Sequence, residues 1–239
     1  MNEPPARQPG FDEARGPWGA RPPSMMRRLS DGDRFDHRFP VTWPVLTLAG
    51  SLVAAFILQN LWPPLREGAL SLAAVQEGRV YVLVSHIFLH GSLAHLGLNA
   101  IALLQLGSIV TRFFGRGLRA ALFFFGSFLV YGIAGGVLFL LLNPQGAAVG
   151  ASGAICGLWG ALARLAPPHS FVSTFTGGAT RSFLLMNAIM IGVGLLVGEL
   201  QGAGIAWQAH LGGYVAGAML IIPTLRIVLQ PSARAVRDA

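Results

Sequence analysis

Between Val80 and Gly198 the chain contains no aspartate, no glutamate and no lysine. The apolar residues of this stretch are grouped into runs close to the about 20 residues that an α-helix needs to cross a bilayer. Over all 239 residues, 53% are hydrophobic and 11% are charged, and that charged fraction is roughly half of what a soluble domain carries. The sequence therefore predicts an all-α membrane protein, because a helix satisfies its own backbone groups in lipid.

Six apolar segments are expected to form a six-transmembrane-helix bundle, and these predicted spans are 41–62, 93–111, 118–142, 150–166, 182–199 and 206–229. The bundle accounts for a membrane domain at 41–230. Residues 1–40 are rich in proline, glycine, arginine and aspartate, which is typical of a disordered tail, and 231–239 form a second, short tail. No signal peptide is expected, since the first apolar run follows that long polar stretch.

The basic residues predict the orientation of the bundle. All 17 are arginines, and they concentrate before the first span, between the second and third spans, around the connection of the fourth to the fifth, and after the sixth. The positive-inside rule then places both termini in the cytoplasm. Because the arginines lie in short loops between apolar runs, nucleic-acid binding is not expected. Arginine-only basicity suggests a GC-rich bacterial genome, and hence the inner membrane of a bacterium, with the bilayer as a partner.

Two polar residues in the apolar spans have the spacing of a catalytic pair. Ser152 opens the fourth span within the turn Gly150–Gly153, and small residues follow at 153, 157 and 160. In the sixth span His210, Gly213 and Gly217 share one helix face. If the two glycine faces pack closely, the serine and the histidine can approach to about 2.6–3.2 Å, where an imidazole can take the hydroxyl proton. The alternative is that these glycines serve helix packing alone.

A cluster of histidines and an asparagine precedes and opens the second span. His95 and Asn99 are four residues apart on one helix face, and both side chains can donate hydrogen bonds to an oxyanion. His86 and His90 have the same spacing, which also occurs in zinc proteases, but the segment lacks the glutamate that serves there as the base. Loop packing is the simpler interpretation of these two histidines, with zinc as the alternative, and we expect no metal and no cofactor.

Three motifs in this order resemble the rhomboid family of intramembrane serine proteases: His90-x-x-x-x-His95-x-x-x-Asn99, then Gly-Ala-Ser-Gly at 150–153, then Ala-His-x-x-Gly-x-x-x-Gly at 209–217. The resemblance covers all six spans. It implies Ser152 as nucleophile, His210 as general base, and an oxyanion hole formed by the Ser152 amide with the side chains of His95 and Asn99. Supporting roles fall to Gly150, Gly153, His90, Gly213 and Gly217. The substrates implied are single-span membrane proteins, cut near the outer face.

The chain departs from the family pattern beside the proposed histidine base. Many bacterial members carry a tyrosine four residues after the nucleophile, stacked on that histidine, whereas this chain has Cys156. The orientation of the His210 ring must therefore be set by another contact. A rhomboid-like protein that binds membrane spans without cutting them is the alternative function. A channel or transporter is not expected without charged or pore-lining polar residues in the spans. The oligomeric state stays open.

Two loops are also predicted to have more than a connecting role. The segment 63–82 is long and contains an apolar patch, so we expect it to be partly buried or to lie at the membrane interface. The glycine-rich segment 200–205 suits a lid, and the glycines of the fifth span suit a helix that tilts to admit substrate. A simple tight turn and ordinary helix packing are equally good explanations of this second region.

Overall fold

The computed structural model describes residues 41–201 and 205–229 as a bundle of helices. In chain order the α-helices are α1 (Trp43–Leu61), α2 (Leu72–Gln76), α3 (Val82–Ser85), α4 (Leu93–Ala102), α5 (Ser108–Phe114), α6 (Leu118–Leu142), α7 (Ser152–Leu165), α8 (Phe171–Thr176), α9 (Gly178–Gln201) and α10 (Trp207–Val228). A 3₁₀-helix at Pro63–Gly68 follows α1, and a π-helical turn at Leu103–Gly107 joins α4 to α5. The predicted tails, 1–40 and 231–239, and residues 202–204 of the predicted lid lie outside the described residues.

Four helices in the described part of the chain are long and apolar enough to cross a membrane, namely Trp43–Leu61, Leu93–Phe114, Leu118–Leu142 and Trp207–Val228. These correspond to the first, second, third and sixth predicted spans. The helix at the fourth predicted span, α7, has 14 residues and is about 21 Å long, which is shorter than the hydrocarbon core of about 30 Å. The predicted all-α membrane architecture is confirmed, while the count of six spans and the cytoplasmic termini stay predictions.

Helix α7 lies at the centre of the bundle, with ten of its 14 residues buried. Its contacts with α10 have no room for side chains: a Cβ atom added to Gly213 would collide with the carbonyl oxygen of Gly153, and one added to Gly217 would collide with that of Gly157. The predicted packing of the two glycine faces is thus confirmed. Backbone-to-backbone contact of this kind is how helices approach most closely in lipid, where dispersion replaces the hydrophobic effect as the attraction.

The long connection between α1 and α4 is folded against the bundle, as the sequence predicts for 63–82. Leu70, Ala74 and Val82 in this connection are all buried. A two-residue strand, β1 (Leu70–Ser71), pairs antiparallel with β2 (Ala147–Ala148), which ends just before α7. The sequence does not predict this short ribbon, because two residues are too few to show a strand periodicity. The ribbon ties the connection to the turn that positions Ser152.

Candidate active site

Ser152 is the first residue of α7 and is half-buried. The turn before it depends on Gly150, whose φ of 121° is a conformation that L-residues rarely adopt. The Gly150 amide donates a hydrogen bond of 2.8 Å to the carbonyl oxygen of His86, which fixes the turn to the α1–α4 connection. Because the first amides of a helix have no acceptor within it, the N–H of Ser152 can stabilise negative charge beside its own hydroxyl.

His210 lies in the first turn of α10 and its side chain is 3% exposed. The Nε2 atom is 2.9 Å from the Oγ atom of Ser152. This distance lies in the range of about 2.6–3.2 Å in which a general base can accept a hydroxyl proton. The close contact of α7 and α10 brings the two side chains together, since Gly153 directly follows Ser152 and Gly213 is one turn beyond His210.

The other ring nitrogen of His210 contacts a residue that the sequence analysis did not single out. Nδ1 of His210 is 2.7 Å from Oδ1 of Asn187 on α9, and Nδ2 of Asn187 donates a hydrogen bond of 2.9 Å to the carbonyl oxygen of Phe183. The sequence does contain a signal for Asn187, because it is an amide side chain in a long apolar run. Polar side chains in such runs are often functional, which is also the reason for selecting Ser152 and His210.

The two expected oxyanion donors differ in their surroundings. The ring of His95 lies directly against the turn before Ser152, since a Cβ atom on Gly150 would be 2.6 Å from its Cε1 atom and 2.7 Å from its Nε2 atom. Asn99 is buried one turn further along α4, and its Nδ2 atom donates a hydrogen bond of 2.9 Å to the carbonyl oxygen of His95. In the described ranges neither side chain is hydrogen-bonded to the Ser152 hydroxyl.

The remaining two histidines of the cluster are packed into the protein. His86 donates through Nδ1 to the carbonyl oxygen of Val82 at 2.8 Å. The ring of His90 meets that of His95 edge to face, with 5.1 Å between the centroids. Burial lowers the pKa of His86, and burial together with the nearby His95 lowers the pKa of His90 to about 4. Both rings are therefore neutral at physiological pH and can be buried without a counterion.

A second polar residue in an apolar span, Gln59 on α1, fixes the backbone at His90. Its Nε2 atom donates to the carbonyl oxygen of His90 at 2.6 Å, and its Oε1 atom accepts from the amide of the same residue at 3.1 Å. Nothing in the sequence pattern predicts this contact. The two hydrogen bonds hold the middle of the histidine cluster, five residues before His95, against α1.

The serines near this cluster have structural contacts. Ser92 caps α4 by accepting a hydrogen bond from the amide of His95, and the hydroxyl of Ser85 donates to the carbonyl oxygen of Gly68 at 2.8 Å. No group of three or more histidine, cysteine or carboxylate side chains in the described parts of the chain is arranged to hold a metal ion. The contact between Ser152 and His210 is suited to acid–base and nucleophilic chemistry.

The fold agrees with the family that comparison with known proteins shows. The family model for the rhomboid domain matches residues 77–227, which include Ser152, His210, Asn187 and the histidine cluster. The chain belongs to the rhomboid family, and it is a multi-pass membrane protein. The family includes serine intramembrane proteases, so hydrolase activity is supported at the level of the family.

Three relatives show the range of the family to which the chain is similar. RHOMBOID-like protein 5 of Arabidopsis thaliana is 35% identical over 162 residues, covering 66% of this chain and 48% of that protein. Rhomboid protease GluP of Bacillus subtilis (strain 168) is 31% identical over 182 residues, covering 74% and 33%. The mitochondrial RHOMBOID-like protein 6 of Arabidopsis thaliana is 29% identical over 189 residues, covering 72% and 57%. The chain thus spans about half the length of the first relative and a third of the second.

Proposed function

We propose that this protein is an intramembrane serine endopeptidase that hydrolyses peptide bonds in or near the membrane spans of single-span membrane proteins. The observation that carries the proposal is the 2.9 Å contact between the Ser152 hydroxyl and Nε2 of His210. It is supported by the family of the chain and by the similarity to a relative named as a protease. No carboxylate and no metal is needed for the chemistry.

In the first half of the proposed reaction, Oγ of Ser152 attacks the carbonyl carbon of the scissile bond while its proton passes to Nε2 of His210. The carbonyl oxygen becomes an oxyanion beside the start of α7. There the amide of Ser152 and the side chains of His95 and Asn99 donate hydrogen bonds to it. Collapse of the intermediate breaks the C–N bond, and His210 gives its proton to the leaving amine, which leaves an acyl group on Ser152.

In the second half, water attacks the acyl carbon, His210 accepts the water proton, and collapse of the second intermediate returns the proton to Ser152 and releases the new carboxyl terminus. One N–H of the Asn99 side-chain amide donates to the His95 carbonyl oxygen, which leaves the second N–H of that amide to donate to the oxyanion. Catalytic hydrogen bonds in unliganded enzymes often form only when substrate is bound.

The substrate must offer a carbonyl group that its own helix does not occupy, because a helix in lipid satisfies its backbone internally. Segments with glycine, proline or other weak helix formers unwind at lower cost and are the expected cleavage sites. We place the termini in the cytoplasm and the site near the outer leaflet, in a bundle of six spans with α7 and α9 as the fourth and fifth. The inner membrane of a bacterium is the proposed location.

The test is cleavage of a single-span substrate in proteoliposomes, together with labelling by a fluorophosphonate that reacts with activated serines. Wild type should cut and be labelled, and Ser152→Ala and His210→Ala should each do neither. Ser108→Ala and His169→Ala are matched controls, one a buried hydroxyl on another helix and the other a histidine in a loop, and both should behave as wild type. Cleavage by Ser152→Ala refutes the mechanism. A wild type that binds substrate without cutting or labelling indicates the binding protein instead.

A further inference from the structure

Asn187 accepts a hydrogen bond from the ring nitrogen of His210 that does not face Ser152. We infer that Asn187 is a positioning residue, which fixes the tautomer and the ring orientation of His210 so that its other nitrogen can accept the serine proton. The inference rests on the proposed protease function for its kinetic consequences, although the effect of Asn187 on the histidine tautomer does not depend on it.

The direction of the Asn187 amide follows from its second hydrogen bond. Nδ2 of Asn187 donates to the carbonyl oxygen of Phe183 in the preceding turn of α9 at 2.9 Å. With the amide nitrogen held there, the atom turned to His210 is Oδ1, which can only accept. Nδ1 of His210 must then carry the proton, and Nε2, 2.9 Å from Oγ of Ser152, is left with its lone pair.

This anchoring matters because an asparagine can also select the wrong tautomer. In Ser-His-Asp proteases, replacing the orienting aspartate by asparagine keeps the geometry but lowers kcat by about 10⁴, since the amide then presents the wrong group to the ring. In this chain the carbonyl oxygen of Phe183 removes that ambiguity. A neutral acceptor also avoids a carboxylate inside the bilayer, which would be costly there.

The position of Asn187 is fixed by contacts one turn deeper between the same two helices. Phe183 is four residues before Asn187 and Tyr214 is four residues after His210, and their rings stack with centroids 4.1 Å apart. The hydroxyl of Tyr214 is 2.6 Å from Oγ1 of Thr180. These contacts hold α9 against α10 at a set rotation, so the amide and the imidazole meet without a further loss of side-chain freedom.

The contact between Asn187 and His210 can replace the tyrosine that many family members carry at the position of Cys156. The sequence offers no aromatic ring at that position to stack on His210, and no carboxylate between Val80 and Gly198 to orient it. Asn187 supplies the orientation from α9, whereas the serine and the histidine belong to α7 and α10. Three helices therefore meet at the proposed base.

The test compares two substitutions at this position with a matched control. Asn187→Leu keeps the approximate size but removes the acceptor, and kcat for the single-span substrate should fall by at least about 10²-fold with little change in KM. Asn187→Asp keeps an acceptor and should retain more activity than Asn187→Leu. Its activity should also appear at higher pH than in wild type, because a carboxylate favours the protonated, inactive imidazole.

The control is Asn60→Leu, since Asn60 on α1 donates through Nδ2 to the carbonyl oxygen of Phe56 in the same way, at 2.7 Å, but is exposed. It removes an equivalent helix-internal bond, together with a hydrogen bond of 2.9 Å that Arg66 donates to Oδ1 of Asn60, and should leave kcat unchanged. The unfolding temperature of each variant is measured in detergent. A purely structural role of Asn187 predicts a lower unfolding temperature for both of its variants and no rescue by aspartate.

A spectroscopic measurement separates this inference from the proposed function. The ¹⁵N chemical shifts of His210, with His210→Ala used for assignment, report which ring nitrogen carries the proton. Wild type should show the proton on Nδ1, and Asn187→Leu should show a mixture of tautomers. If Asn187→Leu keeps both the wild-type tautomer and the wild-type kcat, the inference is wrong while the protease function stands. If wild type is inactive, the protease proposal fails, and the tautomer comparison alone decides the role of Asn187.

Discussion

The contact between α7 and α10 predicts a large effect for the substitution Gly213→Ala. A Cβ atom at this position would overlap the carbonyl oxygen of Gly153, and both partners are backbone, so no side-chain rotation relieves the collision. The two helices must move apart by more than an ångström. Gly153 follows Ser152 directly, so the separation is transmitted to the hydroxyl and the imidazole, which now lie 2.9 Å apart.

A displacement of this size lengthens the serine–histidine contact to roughly 4 Å, which is beyond hydrogen-bonding range. Misplacement of reacting groups by about 1 Å lowers rates by about 10²-fold, or about 2.7 kcal/mol of activation free energy. Overpacking of a tight interface also destabilises the fold by about 1–3 kcal/mol. We therefore expect kcat to fall about 10²-fold in Gly213→Ala, together with a lower unfolding temperature.

Substitutions at two other glycines should have a smaller effect or none. A Cβ atom on Gly153 would lie 3.2 Å from the carbonyl oxygen of Ala209, so Gly153→Ala needs a shift of only a few tenths of an ångström and should have a smaller effect. A Cβ atom on Gly126, in the middle of α6, would have no neighbour within 4 Å. Gly126→Ala should leave kcat unchanged and should stabilise its helix by up to about 1 kcal/mol.

The measurements are kcat and KM for the single-span substrate in proteoliposomes, the rate of fluorophosphonate labelling, and the unfolding temperature in detergent. The labelling rate should fall with kcat, because attack on the probe also requires the base. A Gly213→Ala enzyme with the wild-type rate and unfolding temperature would refute the argument. So would an equal loss in Gly126→Ala, since that result would trace the effect to glycine replacement in general.

Three further predictions concern the oxyanion donor Asn99, the turn at Gly150 and the membrane topology. Asn99→Ala should lower kcat by about 10²–10³ without abolishing cleavage, and an unchanged kcat would remove Asn99 from the oxyanion hole. Gly150→Ala should lower both kcat and the unfolding temperature, because it adds about 1–3 kcal/mol of backbone strain and displaces the histidine packed on it; a wild-type unfolding temperature would contradict this. In a Cys156→Ala background, a membrane-impermeant maleimide applied to intact cells should label Gln145→Cys but not Arg116→Cys, whereas equal labelling would contradict the proposed orientation.

The pairing of Ser152 with His210 could be predicted because it follows from short-range periodicity. Residues at spacings of three, four and seven share a helix face, and glycine on both faces lets the two helices approach closely there. The start of α7 at Ser152 is likewise set by the local turn at Gly150, whose positive φ suits glycine alone.

The hydrogen-bond partners of Asn99 could not be predicted from residue spacing. Its spacing from His95 places both residues on one face of α4, as predicted, but spacing does not reveal that its amide nitrogen is already bonded to the His95 carbonyl oxygen. Whether the second N–H of this amide can reach a substrate oxyanion at the start of α7 depends on the distance between α4 and α7. Only the folded chain sets that distance.

The sequence by itself determined the environment and the available chemistry, since the absence of carboxylates from Val80 to Gly198 and the length of the apolar runs follow from residue identity alone. Only the tertiary structure decided what each polar side chain meets. Asn187 contacts the ring of His210, 23 residues away on another helix, and Gln59 on α1 contacts the backbone of His90, 31 residues away in a loop. Their contact depends on the rotation and depth of each helix, which result from packing against several neighbours at once and leave no periodic trace in the chain.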